Sequence, residues 1–355
     1  MRTPAPLVSP RATLATPRVT PSPKPTPLDV YASTSGPLSP QVIGDKSLVY
    51  VPNSLSNVVS VVDPSTFKVI KTFRVGLRPQ HITPAWDLRT LYVDDTSGNQ
   101  LIPIDPRTAH PGKPIHVDDP YNLYFTPDGT KAIVVAERNR SLDIRDPQSW
   151  GLIARIRVPC RGVNHGDFTA DGTYFLVSCE FSGKLLKVDM RSLRVAGKLE
   201  LGGRPVDVRL SPDGTLIYVA NEGRAYGGVQ IVDPVRLHLV AFVKTGAGAH
   251  GEITSRDGRS LYVTNRLAHS VSVIDFATRR VLDTWTIARS SPDMGGVSAD
   301  GSQLWVSGRY NREVYVIDTR SGSTLARIHV GAGPHGLCLF PQPGRYSLGH
   351  TGNYR

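Results

Sequence analysis

Apolar and polar residues alternate along most of this chain in runs of five or six, the period of a half-buried strand rather than of a helix. The stretch SLYVTNRLAHSVSVID, residues 260–275, holds two such runs around a polar loop. The same order recurs as LVYVPN with VSVVD, LYVDD with LIPID, IVVAE with LDIRD, FLVSCE with LLKVD, IYVANE with VQIVD and LWVSG with VYVID. The aspartate closing the second run falls at Asp63, Asp105, Asp146, Asp189, Asp233, Asp275 and Asp318, so successive copies lie 41 to 44 residues apart. A turn aspartate ahead of the first run, at Asp87, Asp128, Asp171, Asp213, Asp257 and Asp300, keeps the same period. Two markers with one period mean a repeat architecture, and no stretch sustains the i, i+3, i+4, i+7 pattern of an amphipathic helix.

Each unit reads as four short strands. In one copy they cover Val208 to Ser211, Tyr218 to Asn221, Val229 to Val232 and Leu239 to Val243, with Asp213-Gly214 as the first hairpin turn. Glycine accepts the positive φ of such turns. Aspartates such as Asp63 in Asp63-Pro-Ser-Thr66 are expected to accept backbone N–H bonds and fix the third-to-fourth connection. Seven such units predict an all-β fold, a seven-bladed β-propeller with four antiparallel strands per blade. The first unit begins at its second strand near Ser47, and the C-terminus supplies an unpartnered first strand, Gly336 to Phe340. That strand is expected to complete the N-terminal blade and close the ring.

The recurring PxG, SPDG, YVxN and VxVxD elements, with LYVTN in one copy, resemble the YVTN-repeat β-propellers over residues 41 to about 345. The resemblance implies the propeller fold and an envelope-associated or secreted protein. It implies no reaction, because its relatives range from surface-layer proteins to haem-d1-associated propellers. Similarity to the streptogramin-inactivating lyases is weaker, since their repeating tryptophan motif is missing.

In this strand order the loops entering each first strand and following each second strand open on one face, around the central channel. Aligning the units on their turn aspartates places His250 and His335 in one column and His81 and His165 in the next. Converging imidazoles suit copper, zinc, iron or a cofactor's metal. The same residues could instead line a metal-free polar pocket or hydrogen-bond neighbouring loops. The loops after the second strands add a rim: Asp95, Glu137, Glu180 and Glu222 on an acidic arc, Arg266 and Arg309 on a basic one, an arrangement suited to an amphoteric ligand. Asp167, Asp207 and Glu252 are candidates for a supporting layer, with Asp167 or Glu252 available as acid/base groups. His269 is expected to be an exposed loop residue. Two functions follow: a propeller that binds a small ligand or an envelope protein, or a metal- or cofactor-dependent enzyme of lyase or oxidoreductase type.

Composition changes this picture little. A net charge of +11 is dispersed without a like-charge run, so no specific nucleic-acid partner is expected. Residues 1–40 hold ten prolines and only one acid, Asp29, and read as a disordered tail ahead of a propeller over residues 41–345, with residues 346–355 as an extension. No apolar run reaches the length of a membrane span, and no signal-peptide core is visible. A Pro/Ser/Thr-rich tail favours a secreted or envelope protein over a cytoplasmic one, and a monomer is expected. Cys160 and Cys179 fall on the same face and could bond to each other, join His165 as ligands, or stay buried thiols; Cys338 is expected in the core. HExxH, GxSxG and Walker A signatures are missing, and no GxGxxG stands in a strand-turn-helix setting.

Overall fold

A computed structural model describes residues 29–223, 227–347, Met1 and Arg355. Seven antiparallel sheets follow one another along the chain. Blade 1 holds Leu48–Asn53, Val58–Asp63 and Lys68–Arg74; its innermost strand is Cys338–Phe340, whose Leu339 pairs with Val49. The ring therefore closes as expected, with one C-terminal and three N-terminal strands. Blades 2 to 7 begin at Pro79, Pro120, Val163, Pro205, Ala249 and Pro292. Blade 2 has an interrupted outer strand, His110–Pro111 and Ile115–His116, where Pro111 and Pro114 remove ladder donors.

Residues Ser260–Asn265 and Ser270–Asp275 form the second and third strands of blade 6. The turn aspartates act as their spacing suggested: Asp275 Oδ1 accepts the Thr278 N–H (2.7 Å) and hydroxyl (2.6 Å), fixing the way into the outer strand. Burial falls from the channel outwards. Pro205–Leu210 is buried throughout, whereas the outer strand Lys68–Arg74 is mostly exposed. The core consists of layers between neighbouring blades, such as Tyr124, Ile133, Phe168 and Phe175 between blades 3 and 4. Each such side chain contributes roughly 1.5–3 kcal/mol by leaving water. Cys338 is buried there as a free thiol.

Residues 29–40, assigned to a disordered tail from composition, are instead seated on the end of the channel opposite the histidine-bearing loops. Val30 N donates to Pro212 O (2.8 Å) and the Tyr31 hydroxyl to Leu210 O (3.0 Å). Tyr31 and Thr34 each bury a side chain that sequence statistics average away in the surrounding prolines. Residues 2–28 and 348–354 of the expected tail and extension lie outside the described residues. Arg355 reaches the same end, donating to Asp167 Oδ1 (3.0 Å). No described helix is long and apolar enough to cross a membrane.

Candidate functional site

A shared irregularity decides which side chains reach the channel. In blades 2, 4, 5, 6 and 7 the pairing of first with second strand skips two residues: between Pro79 and Ile82, Val163 and Gly166, Pro205 and Val208, Ala249 and Glu252, and Pro292 and Gly295. Such bulges free side chains from strict alternation and re-aim them. The skipped pairs include Gln80-His81, Asn164-His165, His250-Gly251 and Asp293-Met294. Adjacent columns can therefore face the same space.

All four histidines converge there. Ring centroids lie 4.6 Å apart for His335 and His81, 5.1 Å for His81 and His165, 6.5 Å for His165 and His250, and 6.0 Å for His250 and His335, a closed circuit. All four are buried. The approach of His81 depends on Gly336, where a Cβ would stand 2.1 Å from His81 Cδ2.

Hydrogen bonds set the ring protons. A carbonyl only accepts, so His81 Nδ1–H donates to Tyr121 O (2.7 Å). Burial pulls the His81 pKa down to about 3, so the ring is neutral and its Nε2 is a lone pair. His165 Nε2 lies 3.2 Å from that atom and must supply the hydrogen. His335 Nδ1–H donates to Asp293 Oδ2 (2.5 Å); burial holds its pKa well below the usual value despite the carboxylate.

His250 has a different environment. Its Nδ1 lies 2.9 Å from Glu222 Oε1 and its Nε2 3.0 Å from Asp293 Oδ1. Burial and Arg266 pull its pKa down, but Asp293 and Glu222 outweigh them and it ends above the ordinary value. Arg266 binds Asp293 Oδ1 through Nε (2.7 Å) and Glu222 Oε1 through Nη1 (2.8 Å). Burial opposes the ionisation of Asp293, yet Arg266 and the two histidines hold it well below the usual carboxylate range.

The rim differs from two separate arcs of charge. Arg204 pairs with both Glu180 and Glu222, and Arg266 with Glu222, so two of the acidic groups are already neutralised. Asn164 also donates to Glu180 (2.9 Å). Arg309 donates to Ser54 Oγ (3.3 Å). Glu137 is half-buried: burial first, then Glu180 and Asp119, outweigh Arg78 and Arg138 and push its pKa up to about 7. Asp95 pairs across its hairpin with Gln100 just as Asn265 pairs with Ser270, which puts it one position ahead of the rim column, at a strand end. There it accepts from Gln100 Nε2 (2.7 Å), and Thr96 takes the rim place. His269 is exposed in its loop.

Asp167, Asp207 and Glu252 lie on the innermost strands beyond the histidine positions. Asp167 accepts from Leu210 N (2.9 Å) and Asp207 from Glu252 N (2.9 Å), each stapling one inner strand to the next. Burial raises the Glu252 carboxyl well above the usual range. Cys160 and Cys179 form a disulfide between the end of blade 3 and the second strand of blade 4, which removes them as thiolate ligands beside His165.

Sequence reasoning missed Asp293, Arg204 and the Tyr121 carbonyl as parts of this constellation. Asp293 shares the alignment column of His250 and His335, and Arg204 precedes the proline that opens blade 5. Beside His250 a cavity of about 210 Å³ opens, lined by Arg204, Glu222, Gly223, Arg266, Leu267 and Tyr310. A roomier cavity of about 460 Å³ between blades 5 and 6 is lined by turn residues, including Asp213 and Asp275, and by no histidine.

The chain is similar to protein NirF of Stutzerimonas stutzeri, 30% identical over 168 residues that cover 45% of this chain and 39% of that protein. It is also 30% identical over 119 residues to the seven-bladed β-propeller protein Rv1057 of Mycobacterium tuberculosis, covering 32% of this chain and 29% of the other. It thus matches well under half the length of each. In structure it resembles the periplasmic gluconolactonase PpgL of Pseudomonas aeruginosa, with a TM-score of 0.69, 19% identity, and 84% and 99% of the two chains covered. A YNCE-like β-propeller family model matches residues 24–344. With that match spanning the whole ring of blades, the chain belongs to the YNCE-like β-propeller family.

Proposed function

We propose that this protein is an exported or envelope-associated binding propeller that captures a small amphoteric ligand at the histidine-bearing mouth of its channel. The observation that carries the reading is the convergence of four buried imidazoles beside an opening bordered by Arg204, Arg266, Glu222 and Tyr310. Arg204 and Tyr310 are substantially exposed, so an anionic group meets a guanidinium and an aromatic face on its way in. The buried ion pairs beneath keep the floor fixed, as a preorganised site requires.

Export is supported by the Cys160–Cys179 disulfide, which persists in oxidising compartments. The resemblance to YVTN-repeat surface proteins and the likeness to a periplasmic enzyme point the same way.

The test is thermal melting of the protein against a panel of amino acids, dicarboxylates and hydroxy acids. At least one compound should raise Tm in a concentration-dependent way, and the rise should vanish in an Arg204→Ala, Tyr310→Ala double variant. A panel without a hit, or hits indifferent to that variant, overturns the reading.

A further inference from the structure

Beyond the mouth of the channel, we propose that the cavity between blades 5 and 6, at the opposite end of the ring, binds a small hydroxyaryl carboxylate of the 4-hydroxybenzoate kind.

Three features of the fold point to it. First, this junction of the repeat is left open where others are filled. The first hairpin turn of one blade packs on that of the next. Trp86 in blade 2 covers the turn of blade 3, where a Cβ on Gly129 would stand 2.3 Å from Trp86 Cδ2. Pro127 comes within 3.0 Å of the corresponding point at Gly172, and Arg256 within 3.2 Å at Gly301. At Gly258 in blade 6 the nearest atom is Pro212 Cβ, at 3.8 Å. The gap widens inwards to Tyr218 and Phe276 as a cavity of about 460 Å³, within the range of small-molecule sites.

Secondly, the inner wall holds an unused donor. Tyr218 lines the cavity and is only 1% exposed, yet its hydroxyl makes no hydrogen bond among the described residues. Tyr50, at the same place in blade 1, donates to Pro106 O (3.4 Å) in a turn of blade 2. In blade 6 that turn position is Phe276, whose ring meets Tyr218 edge-on at 5.1 Å and offers no acceptor. Burial raises the Tyr218 pKa to about 12, with Arg279 the first opposing influence, so the hydroxyl keeps its proton. A buried hydroxyl without a partner costs free energy that a ligand oxygen recovers.

Thirdly, the free charge at the outer end is cationic. Arg259 and Arg279 line the cavity there, both exposed. Arg279 forms no ion pair among the described residues, and Arg259 Nε stands 4.0 Å from its nearest carboxylate, Asp257. The carboxylates around the cavity are turned into their own loops. Asp213 Oδ1 accepts from Ser211 Oγ (2.5 Å) and Thr215 N (3.1 Å), Asp275 Oδ1 from Thr278 N (2.7 Å), and Asp29 Oδ1 from Tyr31 N (2.9 Å). From inside outwards the cavity thus presents a hydroxyl donor, apolar walls from Leu216, Pro212 and Phe276, and guanidinium groups that suit a carboxylate. A planar ring with a hydroxyl at one end and a carboxylate at the other matches that order.

The test is calorimetric titration of the whole protein. 4-Hydroxybenzoate should bind with one equivalent, and benzoate about 3–10-fold more weakly, the worth of one hydrogen bond. Tyr218→Phe removes the donor alone and should bring the two acids to the same Kd. Arg279→Gln should weaken both. Pro212→Trp brings to this junction the indole that covers the turn of blade 3, and should abolish both. Far-UV dichroism and melting establish folding; if Pro212→Trp does not fold, Arg279→Gln, at an exposed side chain, carries the test. No saturable binding of 4-hydroxybenzoate by about 1 mM, equal affinities in the wild type, or binding unchanged in the folded variants each overturn the proposal. Binding lost in the Arg204→Ala, Tyr310→Ala double variant but kept in Tyr218→Phe with its preference intact would place the acid at the mouth and also overturn it. The cavity shares no residue with the mouth, so the failure of either reading leaves the other standing.

Discussion

Asp293 Oδ1 accepts a hydrogen bond from Arg266 Nε over 2.7 Å, tying the innermost strand of blade 7 to the loop after the second strand of blade 6. Both groups are nearly inaccessible to solvent, with side-chain exposures of 0% and 11%. Removing one partner of a buried pair leaves the other charge stranded, at a cost of about 3–5 kcal/mol, whereas replacing both can be nearly neutral. Asp293→Ala should therefore lower the urea midpoint sharply, and Asp293→Ala with Arg266→Met should recover most of the loss. Additive losses in the double variant would show that the two groups act independently.

Two glutamates give opposite pH dependences. Burial opposes ionisation of Glu222, but His250, Arg266 and Arg204 bring its pKa from the ordinary 4.5 down to about 2. A depressed carboxylate pKa contributes stability present above the unfolded value and lost as pH falls through the folded one. Glu222→Gln should thus be destabilising at pH 7 and lose most of that effect as the pH falls from 4.5 towards 2. Glu137 runs the other way. Burial first, then Glu180 and Asp119, outweigh Arg78 and Arg138 and raise it from 4.5 to about 7. Its contribution is intact below 4.5 and lost as pH rises through 7. Glu137→Gln should leave stability unchanged at low pH and raise it by on the order of 1–2 kcal/mol above neutrality. Melting scans of both variants across pH check the signs, and parallel curves would refute them.

The Cys160–Cys179 bond closes a loop with a sequence separation of 19 between neighbouring blades. A loop of that size constrains the unfolded chain by about 3 kcal/mol. Cys160→Ser with Cys179→Ser should lower stability by that order, and dithiothreitol should shift the wild type to the same midpoint. A reductant that leaves the melting temperature unchanged while free thiols rise in number would rule this out.

The fold was legible because the repeat is written twice in each unit, once in alternation and once in turn aspartates such as Asp213 and Asp233 that bond their own loops. The histidines were legible as columns, but not their convergence. Two adjacent columns face one space only because the first strands bulge, and neither Pro79-Gln80-His81-Ile82 nor Ala249-His250-Gly251-Glu252 carries a residue pattern that announces a bulge. The charge pairing of the rim was hidden for another reason. Arg204 lies before a first strand, 18 residues from Glu222 in sequence but within 3.7 Å in space, so counting charges in one loop column could not reveal it. Residues 29–40 show the limit of composition: Tyr31 and Thr34 find a buried seat that prolines around them do not foretell.

Gly336 tests whether the histidine circuit is the working part of the molecule. It is bridged to His81 across the closure of the ring, its N–H donating to Gln80 O (3.0 Å) while its carbonyl accepts from Ile82 N (3.1 Å). These bonds pin the backbone, so a side chain at 336 cannot be relieved by moving the strand. In Gly336→Ala the added methyl would stand 2.1 Å from His81 Cδ2, and the imidazole, the softer of the two, must turn away. Turning costs the bond to Tyr121 and separates His81 Nε2 from His165, while the four-stranded blades stay paired. The variant should therefore melt within about 1–3 kcal/mol of wild type, the range for overpacking a well-filled site. Its histidine ring resonances should shift at His81, His165 and His335, and the ligand response should fall. A Gly336→Ala protein that keeps wild-type ring resonances would mean that the contact yields elsewhere and that His81 is not held as described.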